Sequence, residues 1–231
     1  MIRGVVFDLD HTLFDRYETL KIAFVGFYDH YRDRIPQELS YDEFVSRFIE
    51  IEKKNIHFGW KQLFKAMGEA GIITPFREDE YSEATEVIWH KCWTKAAVEF
   101  PFAKSVLCRL RDMGFKIGLV TNGPHETQTA KLDLLGLSDY FDEIVISGDV
   151  GVHKPNAEPF LVLSRKIGIP PEELLYVGDH PLNDVDGSRR AGYTPVWVRT
   201  IDAWLFDDIE KAPFEVKTVE ELPSLLEKIN N

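Results

Sequence analysis

Residues 5–15 read VVFDLDHTLFD: an apolar run ends in two carboxylates, Asp8 and Asp10, with a hydroxyl, Thr12, two positions on. Carboxylates one residue apart repel each other, and a group of them in one cleft stays ionised only beside a counter-charge. The pattern recurs downstream. FKIGLVTN ends in Thr121 and Asn122, EIVISGD is followed by Lys154 inside VHKPN, and LLYVGD ends in Asp179 with Asp184 five residues on. A lone Asp after a strand is ordinarily a turn former or helix cap, and a lone Lys in a loop is ordinarily solvated. Four carboxylates, an ammonium, a hydroxyl and an amide gathered at strand ends call for a common chemistry. A hard divalent cation such as Mg²⁺ takes carboxylate oxygens and substrate phosphate together. Thr121, Asn122 and loop N–H groups suit phosphate oxygens. A carboxylate that attacks phosphorus gives an aspartyl phosphate.

The elements that position these residues read as α/β. Continuous Val/Ile/Leu runs at 5–10, 115–122, 143–149, 174–179 and 194–199 suit strands buried on both faces. Helical patterns at 102–112, 124–136, 156–166 and 182–191 separate them, with Gly114, Gly136, Gly168 and Gly192 at left-handed helix ends. This alternation predicts a doubly wound parallel sheet, which binds ligands at the carboxyl ends of its strands. The interval from Phe14 to Phe100 breaks the alternation. It reads as amphipathic helices at 16–34, 41–54, 59–70 and 78–95, an inserted second domain. The tail, 216–229, reads as a short strand and a terminal helix.

Asp8-Leu9-Asp10-His11-Thr12, then Thr121, then Lys154-Pro155, then Gly178-Asp179 with Asp184 resembles the four motifs of the haloacid dehalogenase (HAD) superfamily. The resemblance covers nearly the whole chain. It implies a Rossmann-like α/β core, residues 1–14 and 98–231, and a helical cap, residues 15–97, inserted after the first motif. It implies that Asp8 is the nucleophile and that Asp10 protonates the leaving oxygen and then activates water. Thr121, with the backbone near Asn122, would bind the transferring phosphoryl group, and Lys154 would stabilise the charge on Asp8 and phosphate. Asp8, the Asp10 carbonyl and Asp179 would ligate Mg²⁺. Asp184 would support the metal's water shell or orient Lys154, with Thr12 alongside. Hydrolytic dehalogenases of the superfamily lack the second Asp of the first motif, which this chain keeps as Asp10. The resemblance therefore implies Mg²⁺-dependent hydrolysis of a phosphate monoester. A sugar phosphomutase is the alternative, ahead of a 2-haloacid dehalogenase or of a phosphonatase using a cap lysine (Lys53, Lys54 or Lys61).

Two positions depart from the commonest pattern: His11 stands where glycine is frequent, and His180 where a small or amide residue is. Both are expected near the site mouth, as candidate substrate contacts. In the cap, KKNIHFGWK (53–61) offers Lys54, His57 and Trp60 as specificity residues, while Phe64, Trp89 and Trp93 suit packing. A cap excludes bulk water and favours small substrates, so a phosphorylated metabolite is expected. Net charge of −12 and a pI near 5.1 argue against nucleic acid and anionic membrane as partners. No apolar run approaches the roughly 20 residues of a membrane span, and the chain enters a strand-like run at once, so a cytoplasmic protein is expected. Cys92 and Cys108 lack metal-ligand spacing and are expected as reduced, mostly buried thiols. Oligomeric state is not legible.

Overall fold

A computed structural model describes residues 1–55, 58–200, 204 and 206–230. They form two compact units, Arg16–Val98 on the one hand and Met1–Asp15 with Glu99–Asn231 on the other.

The first unit is helical among its described residues: α1 (Arg16–Ala23), α2 (Val25–His30), α3 (Tyr41–Asn55), α4 (Trp60–Glu69) and α5 (Tyr81–Val87), which runs into a π-helical turn, Ile88–Cys92. Ser40 starts α3 with a capping box. The Glu43 carboxylate accepts the Ser40 N–H at 3.1 Å, and the Glu43 N–H reaches the Ser40 hydroxyl at 3.4 Å. Phe44, Val45, Phe48 and Ile49 form the buried stripe of α3. They meet Phe24, Phe27 and Phe64 in an aromatic core in which the Phe24 and Phe48 rings stack at 4.0 Å. The helix expected over 16–34 breaks after Ala23 and again after His30. The first break lies beside Gly26, where a Cβ would meet the Lys91 carbonyl oxygen at 2.7 Å. That close approach requires glycine, a weak helix former.

The second unit carries β1 (Gly4–Phe7), α6 (Ala103–Asp112), β2 (Lys116–Thr121), α7 (His125–Leu135), β3 (Glu143–Ile146), α8 (Ser147–Val150), α9 (Glu158–Ile167) and β4 (Leu174–Gly178). A π-helical turn, Pro181–Asp186, leads to α10 (Gly187–Arg190), β5 (Thr194–Val198), β6 (Phe214–Val216) and α11 (Leu222–Asn230). The sheet order is β3-β2-β1-β4-β5-β6, parallel throughout. β1 is buried along its length, which is why its sequence is apolar without alternation. Phe7, the last residue of β1, pairs with Leu119 on one side and Val177 on the other, so β2 runs two residues and β4 one residue past it. The strand order reverses at β1, the switch point where such sheets hold ligands.

Two strands stop several residues earlier than the sequence suggests, and one helix divides. β1 ends at Phe7 because the chain turns at once, with the Leu13 N–H donating to the Leu9 carbonyl at 3.0 Å. β3 ends at Ile146, where α8 begins, and the helix expected over 182–191 divides into the π-helical turn and α10. Gly114, Gly136, Gly168 and Gly192 adopt the positive φ anticipated for them. Both cysteines are free, but Cys108 is exposed. It lies on the outer face of α6, whose Val106, Leu107 and Leu110 turn inward. Among the described residues no helix is long and apolar enough to cross a membrane.

Candidate active site

Lys154, in the loop between α8 and α9, is the hub of the strand ends. Its buried Nζ donates to Asp8 Oδ1 at 2.5 Å, Asp184 Oδ1 at 2.7 Å, the Tyr176 hydroxyl at 2.9 Å and the Val120 carbonyl at 3.1 Å. Burial alone would lower the Lys154 ammonium, but Asp184 and Asp8 outweigh it and hold it above its ordinary value. Asn122 at the end of β2 fixes the loop. Its Oδ1 accepts the Lys154 N–H at 2.9 Å and its Nδ2 donates to the Lys154 carbonyl at 3.0 Å. The Asn122 side chain therefore holds Lys154, beyond the phosphate-binding role expected near it.

Asp8 is pushed up to about 7, first by burial, then by Asp184 and Asp10, with Lys154 opposing. Three buried carboxylates, Asp8, Asp179 and Asp184, offer oxygens that lie within 4.8 Å of one another. One ammonium among three buried carboxylates leaves excess negative charge, and an all-oxygen donor set of this kind fits a hard divalent cation. Asp184 belongs to this cluster and its Oδ1 also accepts from Lys154. Its Oδ2 accepts the His180 N–H at 2.9 Å. The approach depends on Gly178, where a Cβ would fall 2.5 Å from the Asp184 carboxyl carbon. Asp179 is held through its carbonyl, which accepts Trp197 Nε1–H at 2.8 Å.

Asp10 turns to a different partner. Its Oδ1 and Oδ2 accept from Lys131 Nζ at 2.7 and 3.0 Å, and Oδ2 from Gln128 Nε2 at 3.2 Å. The same Gln128 amide donates to Thr121 Oγ1 at 2.5 Å. Thr12 is buried, and its hydroxyl has no hydrogen-bond partner among the described residues. The fold thus brings Asp8, Asp10, Thr12, Thr121, Asn122, Lys154, Asp179 and Asp184 to the ends of β1, β2 and β4 and the adjoining loops.

The sequence model of the haloacid dehalogenase-like hydrolases matches residues 5–198, most of the chain and all of these groups. The chain belongs to this family. A glyceraldehyde 3-phosphate phosphatase of Methanopyrus kandleri is 34% identical over 206 residues, which span 86% of this chain and 84% of that protein. A phosphoglycolate phosphatase of Yersinia pestis is 31% identical over 83% of this chain and 78% of its own length. The crystal structure of a HAD phosphatase from Thermococcus onnurineus superposes with a TM-score of 0.63 at 30% identity, covering 97% of this chain and 98% of that one.

This HAD hydrolase holds two site features that its motifs do not announce. Tyr176, two residues before Gly178, donates its hydroxyl proton toward the Val120 carbonyl at 2.8 Å while receiving Lys154. Burial, then Asp184 and Asp8, keep that phenol well above its ordinary range. Gln128 and Lys131 are the second feature. With Leu132 and Leu135 they occupy the buried positions i, i+3, i+4 and i+7 of α7, so the legible signal is polar side chains on an inward helical face. Glu52 gives the same signal in the helical unit. It continues the buried stripe of α3, and its Oε1 accepts from Arg16 Nη2 at 2.6 Å and Nε at 3.1 Å. The Arg16 guanidinium lies over the Trp93 ring at 4.3 Å.

The candidate specificity residues fall in different settings. His11, expected near the site mouth as a substrate contact, is buried at 3% exposure, at a left-handed φ of 59°. The tight turn after β1 imposes that backbone. His180 caps the π-helical turn, its Nδ1 accepting the Leu182 and Asn183 N–H groups at 3.2 Å. Lys54 is exposed. Trp60 is half-buried and meets Phe64 and Trp89, each at 6.1 Å between rings, within the helical core. His57 lies outside the described residues. Of the other cap lysines, Lys53 pairs with Glu50 and Lys61 with Glu78. Phe64 and Trp93 are fully buried, as packing residues should be.

Proposed function

We propose that this HAD hydrolase is a Mg²⁺-dependent phosphatase that cleaves small-molecule phosphate monoesters through an aspartyl phosphate. The observation that carries the reading is the buried Asp8–Asp179–Asp184 cluster tied to Lys154, with Asp10 held apart on its own ammonium. The four motif positions keep every group that phosphoryl transfer needs, and Asp10 favours a phosphatase over the dehalogenases of the superfamily. Asp8, Asp179 and the Asp10 carbonyl, with Asp184 in support, would hold Mg²⁺. When bound it would neutralise phosphate and carboxylate charge.

The remaining chemistry belongs to the chain. Lys154 fixes one oxygen of Asp8 and leaves the carboxylate to attack phosphorus. A P–O bond forms as the bond to the leaving oxygen breaks, and Asp10 gives its proton to that oxygen. Thr121 and backbone N–H groups beside Asn122 take the equatorial phosphoryl oxygens. Asp10, now ionised, removes a proton from water. The water oxygen bonds to phosphorus, the acyl phosphate breaks, and Asp8 is regenerated with release of phosphate. Residues 15–97 are assigned the cap role, and a cytoplasmic setting suits a small phosphorylated metabolite. The relatives' names support short phosphorylated acids and aldehydes as the first substrates to try.

Purified protein incubated with glyceraldehyde 3-phosphate, phosphoglycolate, sugar phosphates and 5′-nucleotides should release phosphate with Mg²⁺ and not with EDTA. Metal-independent release, or isomerised sugar phosphate without release, would overturn the reading, the latter in favour of a mutase.

A further inference from the structure

We infer that Lys131 and Gln128 are positioning residues for Asp10: together they fix the acid–base carboxyl and couple it to the phosphate-binding Thr121. The inference rests on the role proposed above for Asp10 as proton donor and acceptor.

Lys131 is completely buried in the middle of α7. Burying an ammonium is costly, and a buried ion pair is rarely more stable than an apolar pair of the same volume. Leu132 and Leu135 on the same face show that apolar side chains fit this side of the helix. What Lys131 adds is direction. It holds both oxygens of Asp10, at 2.7 and 3.0 Å, and Gln128 adds a third hydrogen bond to Oδ2 at 3.2 Å. Two donors three residues apart on one helix meet a single short side chain and fix its rotation.

Gln128 does more than hold Asp10. Its Nε2 also reaches Thr121 Oγ1 at 2.5 Å, so one amide spans the proton-transfer group and the hydroxyl assigned to the phosphoryl oxygens. Gly123 leaves room for this side chain, since a Cβ there would lie 3.1 Å from Gln128 Cγ. Lys154 serves Asp8 and Asp184 while Lys131 serves Asp10, so the neighbouring acids of the first motif have separate cations. A carboxyl misdirected by a few tenths of an ångström loses proton transfer more than it loses substrate binding.

The test compares the wild type with Lys131→Met, Gln128→Leu, Asp10→Asn and the Asp10→Asn/Lys131→Met double variant. The substrates run from p-nitrophenyl phosphate to glycerol phosphate, with Mg²⁺ present. Lys131→Met should lose about 100-fold in kcat on the alkyl ester and less than about tenfold on the aryl ester, whose leaving group needs little protonation. KM should change less than about threefold, and Gln128→Leu should follow the same pattern more weakly. The double variant should be little slower than Asp10→Asn alone, because Lys131 acts through Asp10. Equal losses on both esters, or losses that add in the double variant, would overturn the positioning role. If Asp10→Asn itself shows no leaving-group preference, the role of Asp10 falls and this inference with it. If Asp10→Asn shows the preference and the α7 variants do not, Asp10 stands and only the inference falls. Should Lys131→Met fail to fold, the neutral Gln128→Leu carries the same comparison.

Discussion

Asp8 and Asp10 stand one residue apart, yet their side chains go to different cations, Lys154 and Lys131. That division is how the chain tolerates adjacent carboxylates. It does not remove the cost for Asp8, which burial and its acidic neighbours raise from 3.8 to about 7. A carboxyl raised in the folded state binds more protons than its unfolded counterpart across that window, so stability falls as pH rises from about 4 to 7. With metal chelated, Asp8→Asn should therefore be more stable than the wild type at pH 8, and the gap should narrow as pH is lowered to 5. Denaturant titrations at both pH values check this; a gap independent of pH would mean that the charge of Asp8 is not what strains the site. The same variant should lose more than about 10³-fold in turnover, since an amide cannot form the acyl phosphate.

Elements set how closely these groups approach. β4 ends at Gly178 and the π-helical turn returns Asp184 over it. A methyl group at 178 would fall 2.5 Å from the Asp184 carboxyl carbon, so either the turn or Asp184 has to move. Gly178→Ala should cost about 1–3 kcal/mol by overpacking and lower kcat more than about tenfold as Asp184 leaves Lys154. Unchanged stability and unchanged kcat would show that the turn yields freely. In the helical unit, α3 presents Glu52 to Arg16 with no exposure of the carboxylate side chain. Removing one member of a buried pair costs about 3–5 kcal/mol. Glu52→Ala should therefore destabilise the protein by about that amount, more than Glu52→Gln does. A loss below about 1 kcal/mol in denaturant melts would mean that Arg16 is satisfied without it.

Across the whole molecule, a net charge of −12 faces a substrate proposed to be an anion. The excess negative charge repels that substrate at long range, and salt screens the repulsion within about 10 Å at 0.1 M. With Mg²⁺ saturating, kcat/KM for a phosphate monoester should rise about two- to threefold between low and physiological ionic strength. A fall over that range would show that the local field of the site, not the overall charge, governs encounter.

The sequence by itself pointed to the α/β class, the order of the main strands and helices of the core, a helical insertion over residues 15–97 and the motif residues that the fold gathers at the strand ends. Each rests on a local signal: apolar runs without alternation, glycine at left-handed helix ends, and polar residues at the ends of runs. Local pattern was weaker where close approach decided the outcome. The helix expected from 16 to 34 breaks at Phe24, two residues before Gly26 meets the backbone of Lys91, and the one expected from 182 to 191 opens into a π-helical turn that brings Asp184 over Gly178. His11 was expected near the site mouth; its side chain is buried and its backbone left-handed, which the local pattern did not show. Only the tertiary structure brought Lys131 and Gln128 to Asp10, 121 and 118 positions away in the chain, and Tyr176 to Lys154. The physical reason is the same for each. A period in the sequence tells which face of a helix or strand turns inward, but the partner that meets a buried polar group there is set by how distant elements pack.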